Sequence, residues 1–186
     1  MRKIKTLFIR DFNNNGRITR KYAFKPDERW TATEKMDGTN VRLTVRNHQM
    51  ARLEKRRNPT KLEKAKGMID PWYVDADEFG PEDKHIWEAT RNTDLTDIPD
   101  GEWSGEAIGP KIQGNCLKLE KKVVFLFSAL HRKTYLVFEG VPLTYDGLKK
   151  WLPKQKSKIG IDCGIEGIVW WFDEKPVAKI KLKDFK

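Results

Sequence analysis

Two short runs of alternating side chains, Trp30-Thr31-Ala32-Thr33 and Val41-Arg42-Leu43-Thr44-Val45, flank the segment Glu34-Lys35-Met36-Asp37-Gly38-Thr39-Asn40. Apolar and polar residues take turns in both runs, β-branched types are enriched, and both read as strands. Asp37-Gly38 punctuates them as a tight turn. Lys35, two residues before that turn, stands at the lip of a sheet. Gly38 has no Cβ, so a ligand can approach the backbone closely there. The setting suits a nucleophilic amine, and the plainer reading of the bare motif is a solvated lysine on a β-hairpin. The segment by itself leaves both open.

The rest of the chain is mostly strand signal. Residues 1–30 read as a short strand, a polar turn at Asn13-Asn14-Asn15-Gly16 and a connecting segment. Ala51 to Lys66 carries seven basic and two acidic residues and reads as a charged loop and helix. Arginines beside Asn58-Pro59 suggest a phosphate-contacting surface as readily as a solvated one. Residues 75–100 reverse the sign, nine Asp or Glu against two Lys or Arg, and read as an outward-facing segment with a helix over Glu82 to Arg91. Four glycines between Gly101 and Gly114, with Glu106 among them, suggest either backbone close to a ligand or a loop between strands. Val123 to Phe127 reads as a buried strand and Tyr145 to Leu152 as a helix. Ile165 to Trp171 reads as a strand entered through Glu166. Val177-Ala178-Lys179-Ile180-Lys181-Leu182-Lys183 alternates strictly, which puts its lysines on one face of a strand.

With 186 residues, seven Trp and nine Phe, residues 1–186 make one domain with ample core material. The net charge of +10 points to a polyanionic partner. No apolar run approaches the ~20 residues of a membrane span, and the basic N-terminal stretch is too broken for a signal peptide. Cys116 and Cys163 have no metal-ligand spacing and read as reduced thiols of a cytoplasmic protein.

Taken in order, Lys-x-Asp-Gly at Lys35, Gly-Glu at Glu106, a strand ending in Phe127, Glu-Gly-Ile-Val at Glu166 and Lys-x-Lys at Lys181 resemble the motif series of the covalent nucleotidyltransferases, the superfamily of ATP-dependent DNA and RNA ligases and mRNA capping enzymes. Glu34-Lys35-x-x-Gly38-Thr39-Asn40 and Gly105-Glu106-x-x-Gly109-Pro110-x-Ile112-Gln113-x-Asn115 look most like the nick-sealing phage RNA ligases and the RNA-editing ligases. The resemblance runs from Glu34 to Lys183. It implies an α+β fold of antiparallel sheets with flanking helices forming a nucleotide-binding groove, as in ligase adenylyltransferase domains, ATP-grasp-like. It also implies that Lys35 takes AMP from ATP, that Glu34 lies at the adenine edge, and that Asn40 and Arg56 lie near the nucleotide phosphate and RNA end. Glu106 is expected near the ribose, Phe127 on the base, and Glu166 as the carboxylate for Mg²⁺ or Mn²⁺. Lys181 and Lys183 form the last lysine pair, with Lys179 in reserve for a shifted register.

The chemistry suits these residue types. A free lysine, with a pKa near ~10.4, is a poor nucleophile at neutral pH, and neighbouring cations disfavour its protonated form. The same cations neutralise charge on the α-phosphate as pyrophosphate leaves. Two departures stand out. Ser128 follows Phe127 where the family has Asp, and the chain stops at Lys186, without the OB domain or other C-terminal module of relatives. The expected protein is therefore a monomeric ATP-dependent RNA ligase acting on RNA ends or nicked duplex, not on membranes. A protein partner is a candidate substitute for the missing module. A minimal DNA ligase and a non-catalytic nucleic-acid-binding protein on the same fold are the alternatives.

Overall fold

The computed structural model describes residues 3–127 and 136–185. The fold is α+β, dominated by antiparallel sheet. It divides into two compact units, one of residues 1–3 and 37–128, the other of residues 4–36 and 129–186. Ser128, the residue after Phe127 singled out in the sequence, lies outside the described residues.

In the second of these, the four-stranded unit, β1 (Phe8–Asp11) and β2 (Arg17–Tyr22) form a two-stranded sheet. The turn at residues 13–16 joins them, with Asn15 and Gly16 both at positive φ. A four-stranded sheet in the order β11-β10-β3-β9 contains β3 (Thr31–Glu34), β9 (Val137–Phe138), β10 (Gly167–Phe172) and β11 (Lys175–Lys181). Helix α3 (Tyr145–Trp151) is capped by Thr144, whose hydroxyl accepts the Gly147 N–H. It sets Leu148 into a core with Leu7, Phe8, Ile168, Trp170 and Ile180.

The five-stranded unit orders its sheet β6-β5-β4-β7-β8, from β4 (Thr39–Arg46), β5 (Gln49–Arg57), β6 (Trp72–Asp75), β7 (Gly101–Ile108) and β8 (Val123–Leu126). Helix α1 (Lys61–Ala65) starts in a capping box between Thr60 and Glu63. Helix α2 (Lys84–Arg91) buries Ile86, Ala89 and Thr90. Ile86 and Ala89 join a core with Val41, Leu43, Leu53, Val124 and Leu126.

Four expectations change. The strands beside Lys35 do not form a hairpin: β3 lies between β10 and β9, and β4 lies between β5 and β7, so neither has an edge left for the other. A Cβ on Gly38 would fall 2.2 Å from the Ala107 carbonyl, because β7 already lies there. Residues 51–57 of the basic stretch are strand β5 rather than loop, with α1 following at Lys61–Ala65. The acidic stretch is not simply outward-facing, since α2 supplies core residues at i, i+3 and i+4 spacing. Finally, β11 ends at Lys181, and Lys183 sits exposed in a 3₁₀ turn, Leu182–Phe185. Asp184 draws the chain out of the strand: its carboxylate accepts the Lys181 N–H at 2.9 Å and pairs with Arg10 at 2.5 Å.

Gly167 governs how closely β10 and β11 approach. A Cβ there would lie 2.0 Å from the Ile180 carbonyl oxygen and 2.8 Å from the Lys181 Cα, both backbone atoms that cannot swing aside. Gly167→Ala is therefore expected to lower stability by about 1–3 kcal/mol, the range for overpacking, in a denaturant titration. An unchanged midpoint would show that the two strands separate at no cost.

Candidate active site

Lys35, Glu166 and Lys181 come from the ends of three neighbouring strands of the four-stranded sheet. Lys35 follows β3 directly, and its N–H donates to the Gly167 carbonyl at 2.9 Å. Glu166 precedes β10, and its carbonyl accepts the Leu182 N–H at 2.8 Å. Lys181 stands opposite Gly167 in the β10–β11 ladder. The register thus brings together side chains distant in sequence. Lys35 Nζ donates to Glu166 Oε2 at 2.6 Å and to the Met36 carbonyl at 3.2 Å. Lys181 Nζ pairs with the other carboxylate oxygen. The three side chains are only 17 %, 15 % and 22 % exposed. One carboxylate bridges two ammonium groups. Lys179 is on β11 too, two residues before Lys181, whereas Lys183 is off the strand.

Glu34, next to Lys35, is buried, and both its oxygens are engaged. Oε1 accepts the Ser157 hydroxyl at 2.6 Å and Oε2 the Lys158 N–H at 2.7 Å. The Ser157 hydroxyl in turn accepts the Gly160 N–H at 2.8 Å. Glu34 is thus the tie between the end of β3 and the loop after α3. Burial pushes its carboxyl above the ordinary value, and the bonds from Ser157 and Lys158 partly offset the rise.

The other expected residues lie in the five-stranded unit and share one face of its sheet. Val41, Leu43, Leu53, Val124 and Leu126 point into the core, so by the two-residue period Asn40, Arg56, Glu106 and Phe127 point to the opposite face. Asn40 stands opposite Glu106, and its amide donates to Glu106 Oε2 at 3.2 Å and to the Gly105 carbonyl at 3.1 Å. The Phe127 N–H bonds the Ser104 carbonyl, continuing the ladder past the end of β8. Phe125 is directly opposite Glu106. Arg56 differs from its neighbours. Lys55 pairs with Asp83 and Arg57 with Glu63, while the Arg56 side chain has no ion pair among the described residues.

Tyr73 is a residue that sequence reasoning missed. Its hydroxyl donates to Asn40 Oδ1 at 2.8 Å and lies 3.4 Å from Ser104 Oγ. Arg42 stacks over its ring and forks onto the buried Glu54 at 2.6 and 2.8 Å. The alternation Trp72-Tyr73-Val74 signals a strand, but only the register with Arg56 tells which face Tyr73 takes.

Among the described residues no group of three or more His, Cys, Asp or Glu could hold a metal ion. No helix among the described residues is long and apolar enough to cross a membrane. Comparison with protein-family models and with curated proteins finds no match for this chain.

The raised carboxyl of Glu34 has a signed consequence. Between the ordinary carboxyl pKa and the raised one, the folded state binds more protons than the unfolded, so this group makes stability fall as pH rises through that window. Glu34→Gln is expected to flatten that slope while keeping an acceptor for the Lys158 N–H. Glu34→Ala is expected to cost about 1–3 kcal/mol by leaving buried partners unsatisfied. Chemical denaturation at several pH values is the measurement, and an equal slope in Glu34→Gln and wild type would remove Glu34 as its source.

Proposed function

We propose that this chain is an ATP-dependent RNA ligase that joins 3′-hydroxyl and 5′-phosphate ends through a lysyl-AMP. The observation that carries the reading is the cluster of Lys35, Glu166 and Lys181. Three motifs picked out separately along the sequence converge on one carboxylate, at the lip of one sheet. A chance set of charged residues would have no reason to meet there.

In this reading Lys35 Nζ attacks the α-phosphorus of ATP. An N–P bond forms, the bond to pyrophosphate breaks, and the departing Nζ proton has Glu166 in hydrogen-bond contact as its acceptor. Lys181 lends positive charge to the α-phosphate as it accumulates negative charge, and Lys179 is the better second lysine because it shares the strand. AMP then moves to a 5′-phosphate, and a 3′-hydroxyl displaces it to make the phosphodiester. Glu166 is also the residue that would hold a divalent cation, in the pattern of one carboxylate plus substrate phosphates, and the cation would supply charge neutralisation on the phosphates.

Asn40, Glu106 and Phe127 fit the roles the resemblance gives them, a polar pair suited to a sugar hydroxyl and an aromatic suited to a base. Glu34 fits a positioning role, since its carboxylate is committed to Ser157 and Lys158. Arg56, with a guanidinium that forms no ion pair among the described residues, suits the phosphate of the RNA end.

Incubation with radiolabelled ATP and Mg²⁺ or Mn²⁺ is expected to add one AMP to Lys35, and Lys35→Arg to abolish it. An adduct mapped by mass spectrometry to a different lysine would overturn the assignment. Sealing of a nick with an RNA 3′-hydroxyl strand is expected to exceed sealing of the all-DNA nick. Equal or faster DNA sealing would make this a minimal DNA ligase.

Arg56→Ala separates the steps. It is expected to leave Lys35 labelling within about twofold and to slow nick sealing by tenfold or more, on the order of one lost charge-assisted contact at 1.5–3 kcal/mol. Equal loss of both activities would place Arg56 with the nucleotide instead.

A further inference from the structure

The excess positive charge is unevenly divided. The four-stranded unit holds twenty Lys and Arg against eleven Asp and Glu, a net +9; the five-stranded unit holds seventeen against sixteen, a net +1. Much of the latter's basic charge is also spent internally: Arg42 on Glu54, Arg52 on Asp75, Lys55 on Asp83, Arg57 on Glu63 and Lys122 on Glu88. Within Lys55 to Lys66 this takes Lys55 and Arg57, while Arg56, Lys61, Lys64 and Lys66 have no ion pair among the described residues.

Within the four-stranded unit, a cavity of about 290 Å³ is lined by Arg10, Asn15, Gly16, Arg17, Lys183 and Asp184. Arg10 is held rigidly, with Nε on the Thr6 hydroxyl, Nη1 on the Gly16 carbonyl and Nη2 on Asp184. Asp184 is buried, and its second oxygen accepts the Lys181 N–H. The one acid in the lining is thus consumed by structure. Arg17 and Lys183 are exposed and have no ion-pair partner among the described residues. Three cations against one committed carboxylate leave the cavity with a net charge of +2.

We propose that this cavity is a phosphate-binding subsite for the backbone of a bound polynucleotide, with Arg17 and Lys183 as the contacting groups and Arg10 as the fixed wall behind them. Cations that face water unpaired are the ones that release counterions when they meet a phosphodiester. They carry no base-reading geometry, so the subsite positions a strand without reading its sequence. Lys183, grouped by alternation with the catalytic lysines, belongs to this cavity because Asp184 pulls it off the strand. The choice of a polynucleotide as occupant rests on the ligase reading; the cavity's preference for anions does not.

The test uses the full chain and a fluorescein-labelled nicked duplex with an RNA 3′-hydroxyl strand, titrated by anisotropy across a salt series. Arg17→Ala is expected to bind about three- to tenfold more weakly and to reduce the slope of log K against log salt by about one. Arg17→Glu should weaken binding further. Arg29→Ala, which removes an exposed arginine already paired with Asp27, should match wild type, and AMP labelling of Lys35 should be the same in all four proteins. Unchanged affinity and slope in both Arg17 variants, with Lys35 labelled normally, overturns the subsite and leaves the ligase reading standing. A reduced slope without any Lys35 labelling does the reverse. A wild-type chain that fails to bind the duplex overturns the subsite, as does displacement by inorganic phosphate beyond that of chloride at equal ionic strength, which would assign the cavity to free phosphate.

Discussion

One carboxylate holding two ammonium groups is the interaction on which the candidate site depends. Glu166 sits between Lys35 and Lys181 with one oxygen for each. At the partly screened depth of these side chains, a unit charge pair in contact is worth on the order of 4 kcal/mol before desolvation is subtracted. Without Glu166 the lysines would face each other as like charges. The geometry is in turn a consequence of Gly167, since any Cβ there would strike the β11 backbone. The Glu-Gly pair is thus a single device, in which the glycine brings two strands close and the carboxylate uses the closeness.

The five-stranded unit solves a different problem, which is how to keep polar side chains in fixed positions on a half-buried face. Arg42 does much of this by forking onto Glu54, which is 2 % exposed, and covering the Tyr73 ring. Tyr73 then fixes Asn40, and Asn40 fixes Glu106. Exposed ion pairs elsewhere, such as Arg20 with Asp146, add little because water competes for both partners. A chain of bonds anchored on a buried acid holds its members in one arrangement.

Local pattern was enough to find most strands, the helix at Tyr145 and the order of the chemically suggestive residues. It did not reveal which strands pair. The Asp37-Gly38 signal marks only a bend at Gly38, and β3 and β4 go to different sheets, because pairing is settled by partners that arrive later in the chain. Alternation also ran two residues too far at Lys183, since the pattern of Ile180-Lys181-Leu182-Lys183 contains nothing that announces Asp184 as the acceptor that ends the strand. Tyr73 and the commitment of the Glu34 carboxylate were illegible for the same reason: each is defined by a contact more than thirty residues away.

The run Lys55-Arg56-Arg57 shows the physical origin of that gap. As a sequence it is one basic patch. As a strand it is divided by a period of two, and Lys55 and Arg57 take the same parity as Leu53, which points into the core. Those two meet Asp83 and Glu63, acids contributed by the start of α2 and by α1. Arg56 takes the other parity, opposite Tyr73, where no acid among the described residues comes within ion-pair distance. Three adjacent cations therefore have two fates: two are paired with acids, and the one on the polar face has no ion pair among the described residues. The five-stranded unit, with seventeen basic and sixteen acidic residues, is nearly neutral, and the surplus of the molecule resides in the unit that carries Lys35.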